Sequence, residues 1–224
     1  MQSEQKELFE VAFKKTKPSS DGQKVYQYLV HKVFFDAISS AYPLFYEIVD
    51  KTSFEEVVCD FMKFGARNHK MWQMPNEFRK YVKKFNKFKE IRYADELLWF
   101  EWIDVELMMK NYKPLQEKEF SYENEYKLNA NSVIKKLKYR VFKKENFSVK
   151  GEFYLLAYYN KQEYRVLYRE ISEVMYLFLK ELKKSGSNKA INMLAKATEQ
   201  SKKDVKEFLK DSLSELAKES IIRI

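Results

Sequence analysis

The chain has 224 residues, 45% of them hydrophobic and 33% charged, so it can bury a core and is not an intrinsically disordered protein. Only 4 glycines and 4 prolines exclude collagen-like, low-complexity and turn-rich all-β architectures. The formal net charge of +9 suits nucleic acid, an acidic protein or an anionic membrane surface as a partner, and it does not choose among them.

The first part of the chain predicts α-helices. A short amphipathic helix opens the chain and breaks at residues 17–22, which contain Pro18 and Gly22. The second helix should end near Tyr42, because Pro43 disfavours helical geometry in the residue before it. Apolar residues at helical spacing predict its buried stripe, which consists of Tyr26, Leu29, Val30, Val33, Phe34 and Ala37.

Three more helices are predicted before the middle of the chain. Ser53 is expected to cap the third helix, and Pro75 begins the fourth. The fifth and longest helix covers roughly residues 93–111, until Lys113-Pro114 ends it. Residues 115–131 are polar, and we interpret them as a linker or an irregular crossing.

The pattern changes in the second half. Residues 133–142 are rich in β-branched and aromatic side chains without helical spacing, and residues 153–167 predict a β-hairpin. Helical periodicity returns over 171–186, a short helix follows, and Ser201 caps a longer one. The apolar tail 221–224 predicts a final strand. The expected core face of the longer helix consists of Val205, Phe208, Leu209, Leu213 and Leu216.

This order predicts an α+β protein with two domains. We expect an all-α helical domain over residues 1–113, a linker over 114–131, and a small α+β, winged-helix-like domain over 132–224. The winged-helix comparison depends on the order of elements in the last domain, which is strands, helix, short helix, long helix and strand.

The positive charge is concentrated in two stretches. Ten basic and two acidic side chains lie between Lys63 and Arg92, and a second basic run covers residues 135–150, whereas residues 93–106 hold five carboxylates and no cation. The candidates for nucleic-acid binding are Arg79, Lys80, Lys83, Lys84, Lys87, Lys135, Lys136 and Lys138. The same pattern suits the solvated face of a helix and an edge strand protected by lysines, so both interpretations stay open.

No catalytic motif is recognisable, and we predict that the chain is not an enzyme acting alone. His31 lies within an aromatic helix stripe, His69 lies in the basic segment, and the single cysteine, Cys59, has no neighbouring histidine that would activate it. The carboxylates between residues 95 and 106 have no histidine to complete a metal site. We therefore expect neither a metal nor a cofactor.

A single cysteine excludes an intramolecular disulfide and fits a reducing compartment. The first ten residues contain no apolar run of signal-peptide length, and the longest apolar stretch is interrupted by carboxylates. We expect a soluble, cytoplasmic protein without a membrane partner.

Several short motifs follow one another in the first half: Tyr42-Pro43, Glu77-Phe78, Ala94-Asp95 and Phe100-Glu101-Trp102. In this order and spacing, residues 23–110 resemble the N-terminal domain of the HvfC/BufC-like family, in which a leucine is usual at the position of Phe100. These bacterial proteins carry a DNA-binding label and include the accessory subunit of the methanobactin-biosynthesis enzyme pair. The second half resembles the family's C-terminal domain more weakly, through Tyr164-Arg165 and Gly186.

The resemblance implies a non-catalytic accessory protein. In the better understood members, the protein pairs with a TIM-barrel, multinuclear iron enzyme that oxidatively modifies cysteines of a ribosomally made peptide, and it helps to hold the leader of that peptide. The winged-helix-like second half also resembles leader-binding domains, which add an extended peptide to a sheet edge. The candidates for peptide contact are Tyr158, Tyr159, Tyr164 and Arg165.

Alternatives remain for each of these interpretations. The family-motif residues can define the fold or contact a partner; they are Tyr42, Pro43, Phe78, Asp95, Glu101 and Trp102. In the fold-defining alternative, Asp95 caps or pairs at a helix N-terminus, Glu101 pairs with a cation of the basic segment, and Trp102 lies in the core. The peptide candidates can equally be ordinary sheet residues. The alternative function is DNA binding, as in a transcriptional regulator, which rests on fold-level analogy.

Overall fold

The computed structural model describes residues 2–65, 70–110, 121–122 and 124–223. Internal packing divides the chain into two compact units. The first, which we call the helical unit, contains Met1–Val105 and Val141–Ser148; the second, which we call the mixed unit, contains Glu106–Arg140 and Val149–Ile224. Helices predominate and the strands are antiparallel, so the protein is α+β with a helical N-terminal part, as the sequence predicts.

In the residues that the structure describes, six α-helices precede the first strand. They are α1 (Gln2–Ala12), α2 (Asp21–Ala41), α3 (Pro43–Ile48), α4 (Lys51–Phe64), α5 (Met74–Lys84) and α6 (Ala94–Met109), with a 3₁₀ turn at Met71–Gln73. The predicted end of α2 is confirmed, because Tyr42 leaves helical geometry with φ −131° and ψ 54°. Pro43 then opens α3, where its missing N–H is not needed.

Helix α4 corresponds to the third helix predicted from the sequence, and Ser53 is not its cap. The helix begins at Lys51, two residues before Ser53, and the carboxylate of Asp50 accepts the backbone N–H of Ser53 at 2.8 Å. Hydrogen bonds that Ser53 donates from its backbone and its side chain lower the pKa of Asp50. A carboxylate at the N-cap also interacts favourably with the helix dipole, which explains why Asp50 rather than Ser53 takes this position.

The predicted buried stripe of α2 is only partly correct. Phe34 and Ile38 are buried, whereas Tyr26, Leu29 and Val33 are 42%, 52% and 52% exposed. The side of α2 that packs against the core therefore lies around Phe34 and Ile38. Apolar periodicity identified the helix correctly and misjudged which of its apolar residues face inward.

Aromatic side chains form much of the core of the helical unit. Phe54 lies near its centre, with its ring centroid 5.8 Å from that of Phe78 and 6.4 Å from that of Phe45. Phe78 also packs edge-on against Phe61 at 5.6 Å. These four rings are no more than 1% exposed, and they tie α3, α4 and α5 together.

The described residues of the mixed unit form a small sheet and three α-helices. Its elements are β1 (Lys127–Leu128), β2 (Ser132–Tyr139), β3 (Lys150–Asn160), β4 (Arg165–Glu170), α7 (Glu173–Ser185), α8 (Ser187–Ala197), α9 (Lys202–Lys218) and β5 (Ile222–Arg223). The antiparallel sheet has the order β2-β3-β4, and β1 pairs with β5. The predicted hairpin and final strand are confirmed. Within the segment interpreted as a linker, β1 forms a two-residue strand.

Local signals place the helices of the mixed unit. The Ser172 and Ser201 hydroxyls accept the first-turn N–H groups of α7 and α9, and Gly186 ends α7 with a φ of 85°. One predicted core residue is misplaced, because Phe208 is 74% exposed while Val205, a neighbour on α9, is buried. Helices α7, α8 and α9 pack against one face of the sheet through a single apolar cluster.

Three sequence features lie outside the described residues: His69, the predicted helix stop at Lys113-Pro114, and Ile224 at the end of the tail. Among the residues that are described, no helix combines the length and the apolar character required to cross a membrane.

Candidate functional site

Glu101 on α6 caps the first turn of α3. Its Oε1 accepts the N–H of Leu44 at 2.6 Å, and its Oε2 accepts the N–H of Phe45 at 3.0 Å. Burial raises the pKa of Glu101 to about 7, and the two hydrogen bonds oppose that rise. The described hydrogen bonds to this carboxylate therefore come from the backbone of α3. They differ from the fold-defining alternative, in which Glu101 pairs with a cation of the basic segment.

Three aromatic residues of the family motif are buried in the same unit. The Tyr42 hydroxyl donates to the backbone carbonyl of Pro75 at 2.6 Å, and its ring lies 6.1 Å from that of Phe78. Trp102 is 1% exposed, and its ring is nearly parallel to that of Trp72, at a centroid distance of 6.1 Å. Burial raises the pKa of Tyr42 well above its usual value, so its hydroxyl is a permanent donor here.

Asp95 is the accessible carboxylate of the motif. It lies in the first turn of α6, with Lys83 Nζ at 2.7 Å and an Arg79 guanidinium nitrogen at 3.8 Å. Its side chain is 39% exposed. The motif as a whole therefore connects α3, α5 and α6 by capping, packing and ion pairing. Asp95 and Trp102 lie as the fold-defining alternative expects, whereas Glu101 does not pair as that alternative expects. Pro43 and Asp95 are the motif residues that a partner can reach.

The nucleic-acid candidates lie on two separate elements, α5 with the residue Lys87 after it, and β2. Several already contact internal partners. Lys83 and Arg79 pair with Asp95, and Lys87 Nζ lies 3.2 Å from Asp60. Lys84 lies over the rings of Phe64 and Phe85, and Lys136 pairs with Glu152 at 2.7 Å. These contacts reduce the positive charge that is available to phosphate.

Strand β4 is an edge of the three-stranded sheet. It pairs with β3 on one side, and within the described residues no strand pairs with its other side. The hydrogen bond from Ile171 N–H to the Tyr154 carbonyl, at 2.9 Å, sets the alternation along β4. By that alternation, the backbone N–H and C=O groups that point away from β3 belong to Val166, Tyr168 and Glu170.

The structure separates the four predicted peptide-contact residues. Tyr158 is 2% exposed and belongs to the core under the helices, where burial raises its pKa. Tyr159 follows it on β3, and its side chain points to the opposite face of the sheet. Tyr164 is 77% exposed in the turn before β4, next to Arg165, which pairs with Glu163. Only Tyr164 and Arg165 are therefore brought together at an accessible position.

An ion-pair cluster that sequence reasoning missed joins β4 to α9. The Arg169 guanidinium lies 3.0 Å from Glu219 and 3.2 Å from Glu215. Helical spacing places the exposed Phe208 on the same face of α9 as these two carboxylates. The available sequence signal is this spacing of 208, 215 and 219, which places an aromatic and two carboxylates on one face.

The thiol of Cys59 has a histidine neighbour after all. Its Sγ lies 3.3 Å from His31 Nε2 and 2.9 Å from Lys14 Nζ. The expectation that Cys59 stands apart from any histidine is wrong, because α2 and α4 bring together two residues that are 28 positions apart. At this cluster and in the rest of the described residues, no group of three His, Cys, Asp or Glu side chains could hold a metal ion.

No protein-family model matches the chain, and no curated protein matches it either. A function must therefore be argued from the residues themselves. Among the candidates, the outer edge of β4 pairs with no strand of the described residues and begins beside exposed side chains, whereas the family-motif residues are largely buried and many of the cations are paired.

Proposed function

We propose that the protein is a non-catalytic accessory protein, which binds an extended peptide along the outer edge of β4 and presents it to a peptide-modifying enzyme. The observation that carries the proposal is the open edge of β4, because backbone N–H and C=O groups on such an edge are a template for an added strand.

The hydrogen-bonding groups for such a peptide are regularly spaced. Val166, Tyr168 and Glu170 alternate with residues that bond to β3, so their backbone groups point to the side on which an added strand would lie. The main-chain bonds would supply affinity without selecting a sequence. Selection then depends on the side chains beside the edge.

Side chains that are exposed or partly exposed lie along β4 and directly before it. Tyr164 and Arg165 lie at the start of β4, and Arg169 connects its far half to α9. Phe208 stands on the same face of α9 as the carboxylates that hold Arg169. A peptide with aromatic or aliphatic anchors and a few charged residues suits this combination of exposed rings and ion pairs.

The family resemblance names the partners in the proposal. It implies a TIM-barrel, multinuclear iron enzyme as the working partner and a ribosomally made precursor as the peptide. The order β2-β3-β4-α7-α8-α9-β5 also supports a winged-helix-like reading of the mixed unit, with the sheet before the helices. In this proposal the helical unit supplies a rigid scaffold, and the iron stays in the partner enzyme.

The proposal predicts that an iron enzyme and a short precursor peptide are encoded beside the gene of this protein, and co-expression of the three components tests it. We expect a complex that survives size-exclusion chromatography at micromolar concentration, and modification of the precursor only when all three components are present. Full modification without this protein, or no complex at that concentration, contradicts the proposal.

The edge itself is tested with the precursor peptide in fluorescence anisotropy. Two peptides are compared, each N-methylated at every second backbone amide. Binding should be abolished when the methylated amides are those that point to β4, and nearly unchanged when they are the others. Tyr164→Ser, at the exposed tyrosine directly before β4, should weaken binding about tenfold or more, as loss of an aromatic anchor does. The matched control is Tyr28→Ser on α2, at an exposed tyrosine of the helical unit.

DNA binding is the alternative function, favoured by the net charge of +9 and the cations of α5 and β2. A DNA complex should lose affinity steeply between about 50 and 200 mM salt, because each neutralised phosphate releases counterions. Electrophoretic shifts with a random duplex at low salt separate the two functions. Duplex binding that Lys83→Met and Lys136→Met weaken would favour DNA over peptide.

A further inference from the structure

A thiol, an imidazole and an ammonium from three segments meet in the helical unit. Cys59 lies on α4, His31 on α2, and Lys14 follows the end of α1. The two contacts to Cys59 Sγ are 2.9 Å from Lys14 Nζ and 3.3 Å from His31 Nε2. A nucleophile within hydrogen-bonding reach of a base is the geometric signature of an activated nucleophile.

The two neighbours of the thiol have complementary roles. Burial lowers the pKa of His31, the Lys14 charge lowers it further, and Glu55 at 3.8 Å opposes the change. His31 is therefore neutral near pH 7 and can accept the thiol proton at Nε2. The Lys14 ammonium lies 2.9 Å from the sulfur, on which negative charge develops when the proton leaves.

The thiol is also accessible. Cys59 is half-buried and borders an open depression of about 370 Å³. The walls of this depression are formed by Thr52, Glu55, Glu56, Cys59, Asp60 and Lys63. The walls carry three carboxylates and one ammonium, and Asp60 is paired with Lys63 and Lys87. The carboxylates of Glu55 and Glu56 therefore give the walls their negative charge, which favours neutral or cationic molecules over anionic ones.

We propose that Cys59 is a modification site that undergoes thiol–disulfide exchange with neutral or cationic low-molecular-weight disulfides. The thiol proton moves to His31 Nε2, and the Cys59 thiolate attacks one sulfur of the disulfide. The S–S bond of the reagent breaks, and its other sulfur leaves as a thiolate that takes the proton back from His31. Cys59 ends in a mixed disulfide, and one equivalent of thiol is released. The site is independent of the peptide-binding edge.

Cystamine, a small dicationic disulfide, is a suitable probe for the full-length protein. Intact mass spectrometry should show one adduct that dithiothreitol removes. At pH 7 the folded protein should react about tenfold faster than the same chain unfolded in urea, where Cys59 has lost both neighbours. A folded rate equal to or below the unfolded rate would overturn the proposal.

Substitutions identify which neighbours matter. Lys14→Met and His31→Phe should each slow the reaction several-fold, whereas Lys15→Met, at the adjacent exposed lysine, should leave the rate unchanged. Thermal melts establish that each variant is folded. If both substitutions leave the rate unchanged in folded protein, the cluster does not activate the thiol and the proposal is wrong.

Charge selectivity tests the depression. Wild-type protein should react faster with cystamine than with oxidised glutathione, which is anionic, after correction for their rates with the unfolded chain. The double variant Glu55→Gln/Glu56→Gln should narrow this ratio, because it removes two of the three wall carboxylates. An equal ratio in both proteins would contradict the assignment of a cationic or neutral reagent.

Discussion

The carboxylate of Glu101 accepts the backbone N–H of Leu44 at 2.6 Å, across 57 positions of sequence. With the second bond to Phe45, it supplies acceptors to the first free donors of α3, since Pro43 has none. Glu101, which lies in the Phe100-Glu101-Trp102 motif on α6, thus acts as a cap for a different helix, α3. Its burial and its hydrogen bonds make the stability of the helical unit sensitive to pH.

Glu101→Gln should change how stability depends on pH. Because burial raises the pKa of Glu101 from 4.5 to about 7, the folded protein retains a proton that the unfolded chain releases. The free energy of unfolding of the wild type should therefore fall by up to about 3 kcal/mol as pH rises between these two values. Urea unfolding at several pH values should show this fall in the wild type and its absence in the variant.

The matched control for this measurement is Glu56→Gln, at an exposed carboxylate on α4. It should keep the wild-type slope between pH 4.5 and 7. If Glu101→Gln also keeps that slope, Glu101 does not titrate in this range and the buried-cap account of the pH dependence is wrong.

Tyr42→Phe should destabilise the helical unit by about 1–3 kcal/mol, because it leaves the Pro75 carbonyl without its donor in a buried position. Tyr26→Phe, at a tyrosine that is 42% exposed, should change stability by less than about 0.5 kcal/mol. The comparison is made from urea midpoints at constant m value. Equal effects of the two substitutions would show that the hydroxyl of Tyr42 contributes nothing specific.

Gly186→Ala should destabilise the mixed unit by more than about 1 kcal/mol, since its φ of 85° is unfavourable for alanine and the new Cβ would clash with the Glu125 carboxylate. Gly22→Ala should stabilise α2 by about 0.4–1 kcal/mol, because a Cβ there meets only the Ser20 hydroxyl at 4.0 Å. Thermal unfolding of the two variants should shift in opposite directions. A shift in the same direction would contradict the conformational account of Gly186.

The Arg169–Glu219 pair should contribute a coupling free energy of about 0.5–1 kcal/mol, because both side chains are partly exposed and solvent screens their charges. A double-mutant cycle with Arg169→Met and Glu219→Gln measures this coupling. High salt should reduce it. A coupling of zero would mean that the Arg169–Glu219 pair adds nothing to the contact between β4 and α9.

Much of the secondary structure could be predicted, because its signals are local. Ser201 and Gly186 lie within one turn of the helix ends that they determine, and the turn before Arg165 separates two strands that are adjacent in sequence. The errors at Ser53 and Phe208 also have a physical reason. In each case several residues fit the local pattern, and the choice among them depends on what the helix packs against.

The sequence by itself determined the α+β class, the positions of most elements, and the segregation of charge behind the net value of +9. Only the tertiary structure decided that Asp95 pairs with Lys83, that Glu101 caps α3, and that Cys59 meets His31. Helix and strand signals arise from neighbouring residues, and side chains alternate between the two faces of a strand because its geometry repeats every two residues. The cap on α3, the Asp95–Lys83 pair and the Cys59–His31 contact each join residues that are distant in sequence, and folding alone brings them within hydrogen-bonding distance.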